Sequence, residues 1–269
     1  MNAHEDTHVN AHVNALEPSK FDPLTTYTIR LGDDALIAGH RLSEWTGSAP
    51  MLEEELALAN VALDLLGRAR LCYGYAAERT GQGCTEDSFA FQRDCRAFTN
   101  HLIHELPRGD FAFTMARQFL VDCLAVPFLD ALVQTKDPRL AGIGAKCAKE
   151  SRYHLRRSTD WMVRLGDGTD ESHYRLQAGV DELWGFTPEL FAQDGLEAEL
   201  VADGFAVDLG PLHEPWLEAV NTTLAGVGIV LPTLDWQVDG GRQGLHTEHL
   251  GHLLSELQFV QRAYPGQQW

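Results

Sequence analysis

The sequence predicts an all-α bundle of four long antiparallel helices followed by smaller C-terminal ones, and three observations lead there. Apolar residues recur at alternating spacings of three and four along most of the chain, which is the period of one helix face. Gly and Pro clusters cut that pattern into four long blocks and several shorter ones. Strand signals are nearly absent, since the apolar run Val227-Gly228-Ile229-Val230-Leu231 has no partner.

The first 21 residues are polar without a sustained apolar period, so a disordered N-terminal tail is expected over 1–21 and a single helical domain over 22–269. His4, His8 and His12 recur in the tail, and Glu5-x-x-His8 superficially matches half of a di-iron motif. Leu31, Ala35, Ala38, Leu42 and Trp45 form the first apolar stripe. Gly47-Ser48-Ala49-Pro50 breaks and restarts the chain, with Ser48 as N-cap. Leu52, Leu56, Ala59, Leu63 and Leu66 form the second stripe, ending near Gly81. A shorter helical stretch is expected over 86–98, then a break at Pro107-Arg108-Gly109. The third stripe is Ala112, Met115, Phe119, Asp122, Val126, Leu129 and Val133, with a kink expected at Pro127. Asp137-Pro138 opens the fourth, Leu140, Ile143, Cys147, Glu150, His154 and Trp161. Further helices are expected over 170–185, 211–224 and 247–263.

Composition bounds the function. With 39 Asp and Glu against 21 Lys and Arg, the net charge of −18 argues against broad contact with nucleic acid or an anionic membrane. It leaves room for a local basic patch that meets a phosphate-bearing ligand or a partner. The five cysteines, Cys72, Cys84, Cys95, Cys123 and Cys147, include no CxxC pair, so neither a structural zinc nor a disulfide framework is expected. No run of 18 apolar residues and no signal-peptide apolar region occur, so a cytoplasmic protein is expected. GxSxG, Walker A and HExxH sequences are absent as well.

The chemistry-bearing residues lie on the long stripes. Asp122 and Glu150 stand at seam positions, His154 follows Glu150 by one turn, Asp64 lies beside the second seam, and Asp33 and Asp34 lie beside the first. Carboxylates converging from four helices build di-iron sites, which take a Glu from two helices and Glu-x-x-His from the other two. The ligand test fails at two places. Asp64 is followed three residues later by Gly67, and Glu150 by Tyr153, with His154 displaced by one residue, about 100° around the helix. Three readings stand: a buried polar network of these acids with His154 and neighbouring arginines, a di-iron centre with displaced ligands, or solvated side chains. His246, His249 and His252, with Glu256, could hold zinc, but steps of three drift around a helix, and a helix start after the glycine-rich stretch 240–244 is the plainer reading. His101-x-x-His104-Glu105 is an equally weak metal signal.

Several segments agree in order with one known family. The runs Tyr27-Thr-Ile-Arg-Leu-Gly-Asp-Asp34, Leu56-Ala-Leu-Ala-Asn-Val-Ala-Leu-Asp-Leu-Leu-Gly67, Lys149-Glu-Ser-Arg-Tyr-His-Leu-Arg156, Gly244-Leu-His-Thr-Glu-His-Leu-Gly251 and the ending Tyr264-Pro-Gly-Gln-Gln-Trp269 resemble the C subunits of bacterial 1,2-phenylacetyl-CoA epoxidases. The resemblance covers about residues 24–269 and leaves His252 where the family has no histidine. It implies a ferritin-like four-helix bundle with additional C-terminal helices. It further implies a structural, non-catalytic subunit paired with a homologous di-iron catalytic subunit, with a small bridging subunit and a reductase completing the complex. That complex epoxidises the ring of phenylacetyl-CoA with O₂ and NADPH, the FAD and the iron–sulfur cluster belonging to the reductase. No cofactor is implied for this chain, and Asp34, Asp64, Gly67, Asp122, Glu150 and Tyr153 would be degenerate ligand positions. The resemblance also implies acyl-CoA contacts at Ala97, Phe98, Thr99 and Asn100, after Arg93 and Arg96, and at Ala198, Glu199 and Leu200. The alternatives are an autonomous ferritin-like di-iron oxidase with displaced ligands, and an assembly protein without a role in turnover.

Overall fold

Two long helical hairpins, held side by side, form the body of the molecule. The computed structural model describes Leu16 and residues 20–81, 83–265 and 267, so most of the expected tail, with His4, His8 and His12, lies outside the described residues. Of that stretch, Leu16 is buried and Phe21 meets Phe89 edge-on at 6.0 Å.

The first hairpin is α1 (Pro23–Ser43) and α2 (Leu52–Thr80). Asp22 caps α1 by accepting from the Leu24 and Thr25 amides, both at 3.1 Å, and Pro23 takes the first turn, where no intrahelical partner is needed. The two helices approach closely because glycines face the contact: a Cβ on Gly32 would lie 2.5 Å from the Tyr73 ring. After α3 (Glu86–Phe91) and α4 (Leu102–Glu105), the second hairpin is α5 (Phe111–Leu132) and α6 (Pro138–Gly166). Gly144 makes the corresponding close approach, to the Leu129 carbonyl. Asp137 caps α6 through the Arg139 and Leu140 amides at 3.0 and 2.8 Å, and its other oxygen accepts the Tyr75 hydroxyl of α2 at 2.6 Å, so one cap also joins the hairpins.

Smaller helices cover the bundle: α7 (Asp170–Trp184), α8 (Gly195–Asp203), α9 (His213–Ala225), α10 (Glu248–Leu257) and α11 (Phe259–Ala263). Trp216 of α9 stacks on Trp184 at 5.8 Å and donates its indole N–H to the Leu120 carbonyl at 2.9 Å. The fold is all-α and ferritin-like, with no strand among the described residues. Residues 227–231 follow α9 without forming a strand. The stretch expected over 86–98 stops at Phe91, since the chain turns there to bring Arg93 inward, and α5 runs on through Pro127. By length and composition α5 could cross a membrane, but 72% of its apolar window is buried within the protein, as in a core helix.

One expectation is reversed. The row Leu52, Leu56 and Leu63 does not face the core; these side chains are 67, 57 and 64% exposed. The buried row of α2 is Leu58, Val61, Ala62, Leu65, Ala69 and Cys72. This helix is apolar on two faces, and periodicity alone cannot say which face turns inward. Met51 rather than Ser48 stands at its N-cap.

Gly32→Ala should destabilise the protein by about 1–3 kcal/mol through overpacking against Tyr73. Gly142→Ala, on an open face of α6 with no neighbouring atom within 4 Å, should stabilise it by up to about 1 kcal/mol. Urea denaturation of the two variants checks both signs.

Candidate functional site

Asp33 and Asp34 are adjacent on α1, and the 100° step of the helix turns their carboxylates to different neighbours. Asp33 is fully buried and accepts the Tyr73 hydroxyl at 2.6 Å, the Thr99 amide at 2.7 Å and the Thr99 hydroxyl at 2.8 Å. Both terminal nitrogens of Arg93 also donate to it. Arg93, itself fully buried, lies 4.1 Å over the Phe98 ring and donates to the carbonyls of Phe89 and Ala97 at 2.7 and 2.8 Å. Burial and the Asp33 charge push the Tyr73 hydroxyl well above its ordinary pKa.

Asp34 instead accepts Arg242 on both oxygens, at 3.2 and 2.8 Å, and the His101 amide at 2.8 Å. Burial alone would raise its pKa, but Arg242, His101 and His104 outweigh that and hold it well below the carboxylate range. Arg242 also donates to the Thr99 carbonyl at 2.6 Å and lies 3.7 Å from Glu197, which bonds Arg30 at 2.9 Å, which in turn bonds Asp194 at 2.5 Å. A second buried carboxylate, Glu105, accepts His246 at 2.8 Å, Asn100 at 3.1 Å and the Thr247 amide at 2.5 Å. The other nitrogen of His246 faces the Phe98 carbonyl at 2.8 Å. Burial opposes the charged ring, yet the Glu105 carboxylate and the Phe98 carbonyl outweigh it and raise the His246 pKa.

The acids of the inner helices are answered separately. Asp64 on α2 pairs with His154 on α6 at 2.9 Å, and burial keeps the His154 pKa low. Asp122 on α5 accepts Gln118 at 2.7 Å and Ser158 at 2.8 Å, and burial pushes it up to about 7. Burial and the nearby Asp64 raise Glu150, which is half-buried and accepts no hydrogen bond among the described residues. A positive charge shared by these groups is Arg68, one turn after Asp64, with Arg157 acting on Asp122 and His154 as well. Arg68 donates to the Ser151 hydroxyl at 2.6 Å, and its field favours the ionised forms of Asp122 and Glu150 and the neutral form of His154.

The expected single network of Asp34, Asp64, Asp122, Glu150 and His154 is therefore several local pairs, because Asp34 is turned away to Arg242 and Glu150 has no bonded partner among the described residues. Gly67 is exposed and Tyr153 is 44% exposed, so neither occupies an inward position. On both helices the inward residue lies at the fourth step, Arg68 after Asp64 and His154 after Glu150, not at the third. A di-iron cluster does not fit these residues: Asp122 and Asp64 already hold partners, and a guanidinium shares the space. Asp34, His101 and His104 form the one group of three candidate ligands found among the described residues, with ligand atoms within 4.8 Å. A cation there would lie against the arginine that both Asp34 oxygens already bind. His246, His249 and His252 do not converge either, since both His246 nitrogens are committed and His252 is exposed.

A cavity of about 120 Å³ runs through the bundle between α1, α2, α5 and α6, mostly apolar, with Asp34, Arg68, His101, Arg117, Asp122, His154 and Arg242 on its wall. Arg117 donates to the carbonyls of Leu106 and Pro107 at 2.6 and 3.2 Å, and burial together with Arg41 pushes its pKa down to about 10. The expected acyl-CoA segment Ala97, Phe98, Thr99 and Asn100 is buried, with Thr99 committed to Asp33 and Asn100 to Glu105. Gly241 covers it so closely that a Cβ would meet the Asn100 carbonyl at 2.1 Å. In the second segment Ala198 and Glu199 are exposed and Leu200 is buried. Arg242 contacts Thr99 in the first segment and Glu197, the residue just before the second.

A family profile described as "Phenylacetic acid catabolic protein" matches residues 10–269. The chain is 48% identical over 246 residues to the C subunit of the 1,2-phenylacetyl-CoA epoxidase of Escherichia coli (strain K12), an alignment that covers 91% of this chain and 99% of the relative.

Asp33→Ala leaves Arg93 buried without its counterion and should cost about 3–5 kcal/mol. Glu150→Ala, with no bond to lose, should stay within about 0.5 kcal/mol; melting curves of the pair give the contrast. Asp122 has a raised folded-state pKa, so its stabilisation is complete below the unfolded value and is lost as pH rises towards about 7. Asp122→Asn mimics the protonated acid. It should match the wild type at pH 4 and be more stable by a few kcal/mol above pH 7, measured as the pH dependence of the melting difference.

Proposed function

Because the chain belongs to the phenylacetic acid catabolic protein family, we propose that it acts as the non-catalytic, structural subunit of a phenylacetyl-CoA epoxidase in aerobic phenylacetate degradation. The observation that carries this reading is the outward row Leu52, Leu56 and Leu63 on α2. A long helix with one apolar face in its own core and a second facing outward suits a subunit interface. The proposed occupant is the homologous di-iron catalytic subunit, whose own bundle would lay a matching helix pair across α2 and α6. In this reading the small bridging subunit and a reductase carrying FAD and an iron–sulfur cluster complete the electron path from NADPH, and residues 22–269 act as one scaffold.

The interior supports the same division of labour. Arg68 and His154 stand among the acids that a metal-bearing relative would use as ligands, so the epoxidation of phenylacetyl-CoA with O₂ falls to the partner. Of the two segments expected to meet acyl-CoA, exposed Ala198 and Glu199 are the ones open to it. Phe98, Thr99 and Asn100 serve instead to fix the junction beneath them.

Co-expression with the homologous subunit tests the reading. The purified pair should turn over phenylacetyl-CoA with NADPH and O₂ once the bridging subunit and the reductase are added, while this chain alone should bind almost no iron. Leu56→Asp combined with Leu63→Asp should leave the isolated chain folded, since both side chains are exposed. It should lower co-purification and turnover at least about tenfold. Iron near two per chain in the isolated protein, with activity in the absence of the partner, would overturn the proposal and favour the autonomous oxidase.

A further inference from the structure

Two side chains on the cavity wall have buried nitrogens with no hydrogen-bond partner among the described residues. Arg117 on α5 uses Nη1 for the Leu106 and Pro107 carbonyls, while its Nη2 is buried without a hydrogen-bond partner among the described residues, and no carboxylate pairs with it there. His101 precedes α4. Its Nδ1 lies 3.4 Å from both Arg242 and an Asp34 oxygen, and the tautomer that accepts from Arg242 carries its proton on Nε2. That Nε2 is buried and unpartnered too. Buried polar atoms are almost always satisfied, so a pair of unpartnered nitrogens on one cavity wall, one of them the Arg117 donor, marks a missing partner.

The rest of the wall states what kind of acceptor. Leu31, Ala35 and Ala38 from α1 face Val121, Ala125 and Phe128 from α5 across a cavity of about 120 Å³. Engineered apolar cavities of about 150 Å³ accept benzene, so a ring or a short alkyl chain is the right scale. Arg117 lacks a counterion, which favours a ligand with negative charge, and a carboxylate matches the guanidinium fork. Asp34 and Glu197 on the same wall disfavour a multiply charged anion such as phosphate.

We propose that the bundle interior binds a small apolar monocarboxylate, its carboxylate held by Arg117 and His101 and its hydrocarbon part lying between α1 and α5. The site is internal to this chain and stands independently of the subunit reading. Water in the cavity would satisfy the two nitrogens but would leave the Arg117 charge unpaired and the apolar wall uncovered.

Calorimetric and melting titrations of the full-length chain with benzoate and hexanoate, each set against its neutral amide, test the proposal. The expected result is saturable binding of at least one acid at about one per chain, a raised Tm, and amide binding weaker by roughly tenfold or more. Ala125→Leu should abolish acid binding by filling the cavity while leaving Tm unchanged or higher. Arg117→Lys should retain part of the preference for acid over amide. No heat and no melting shift with either acid up to about 10 mM would overturn it. So would equal binding of acid and amide, or wild-type binding by a folded Ala125→Leu protein.

Discussion

Asp33 has no route to water, and the molecule is arranged around that constraint. A buried carboxylate must be met by hydrogen bonds and by a counterion or it will not stay charged. Arg93 comes from the turn after α3, Tyr73 from α2 and Thr99 from the segment before α4, so satisfying this one group fixes three stretches of chain at once. Its neighbour Asp34 repeats the logic one residue along, drawing in Arg242 from the distant glycine-rich loop. The irregular stretches that result are buried, and their carbonyls need donors that helices do not provide. Side chains supply them: Arg41 to Glu105, Gln258 to Ala90 and Arg93, and His246 to Phe98. A substrate-facing loop would keep its polar groups for a ligand. Most polar groups of this junction are committed to one another, with Asn100 Oδ1 and His101 Nε2 as exceptions among the described residues.

The inner acids follow a different rule. Two of them are answered by nearby side chains, Asp64 by His154 and Asp122 by Gln118 and Ser158, while Glu150 has the Arg68 field without a bonded partner among the described residues. The helices thus keep the geometry of a bundle that could gather ligands while the side chains fill that role with hydrogen bonds. What space remains is mostly apolar, with the Arg68, Arg117 and Arg242 guanidinium groups among the acids and imidazoles of its wall, a different chemistry from that of a metal cage.

The long helices are legible in the sequence because their caps and apolar periods are local: Asp110 and Asp137 cap α5 and α6 from within a few residues. Helix α8 escapes that reading, being short and opening directly on glycine, and the turn at Phe91 is set by Arg93 reaching Asp33, 60 residues away. The inward face of α2 is ambiguous in sequence because two rows of leucine and alanine satisfy the same period. Ligand positions read at the third step, Gly67 and Tyr153, lie outside, while Arg68 and His154 at the fourth lie inside. The Asp34–Arg242 pair spans 208 residues and the Glu105–His246 pair 141, separations over which one sequence carries no pairing signal. Burial of the segment 97–100 likewise depends on the loop that covers it.

Arg68 bears on the life of the chain before assembly. A metal-bearing bundle folds to full stability only when its ions arrive, because binding energy and folding energy are then the same quantity. A guanidinium is encoded in the polypeptide and is present from the moment of synthesis. The acids around it meet their positive charge as α2 and α6 come together, whatever the supply of metal in the cell. Chelation or oxidative release of a metal cannot strip that charge away.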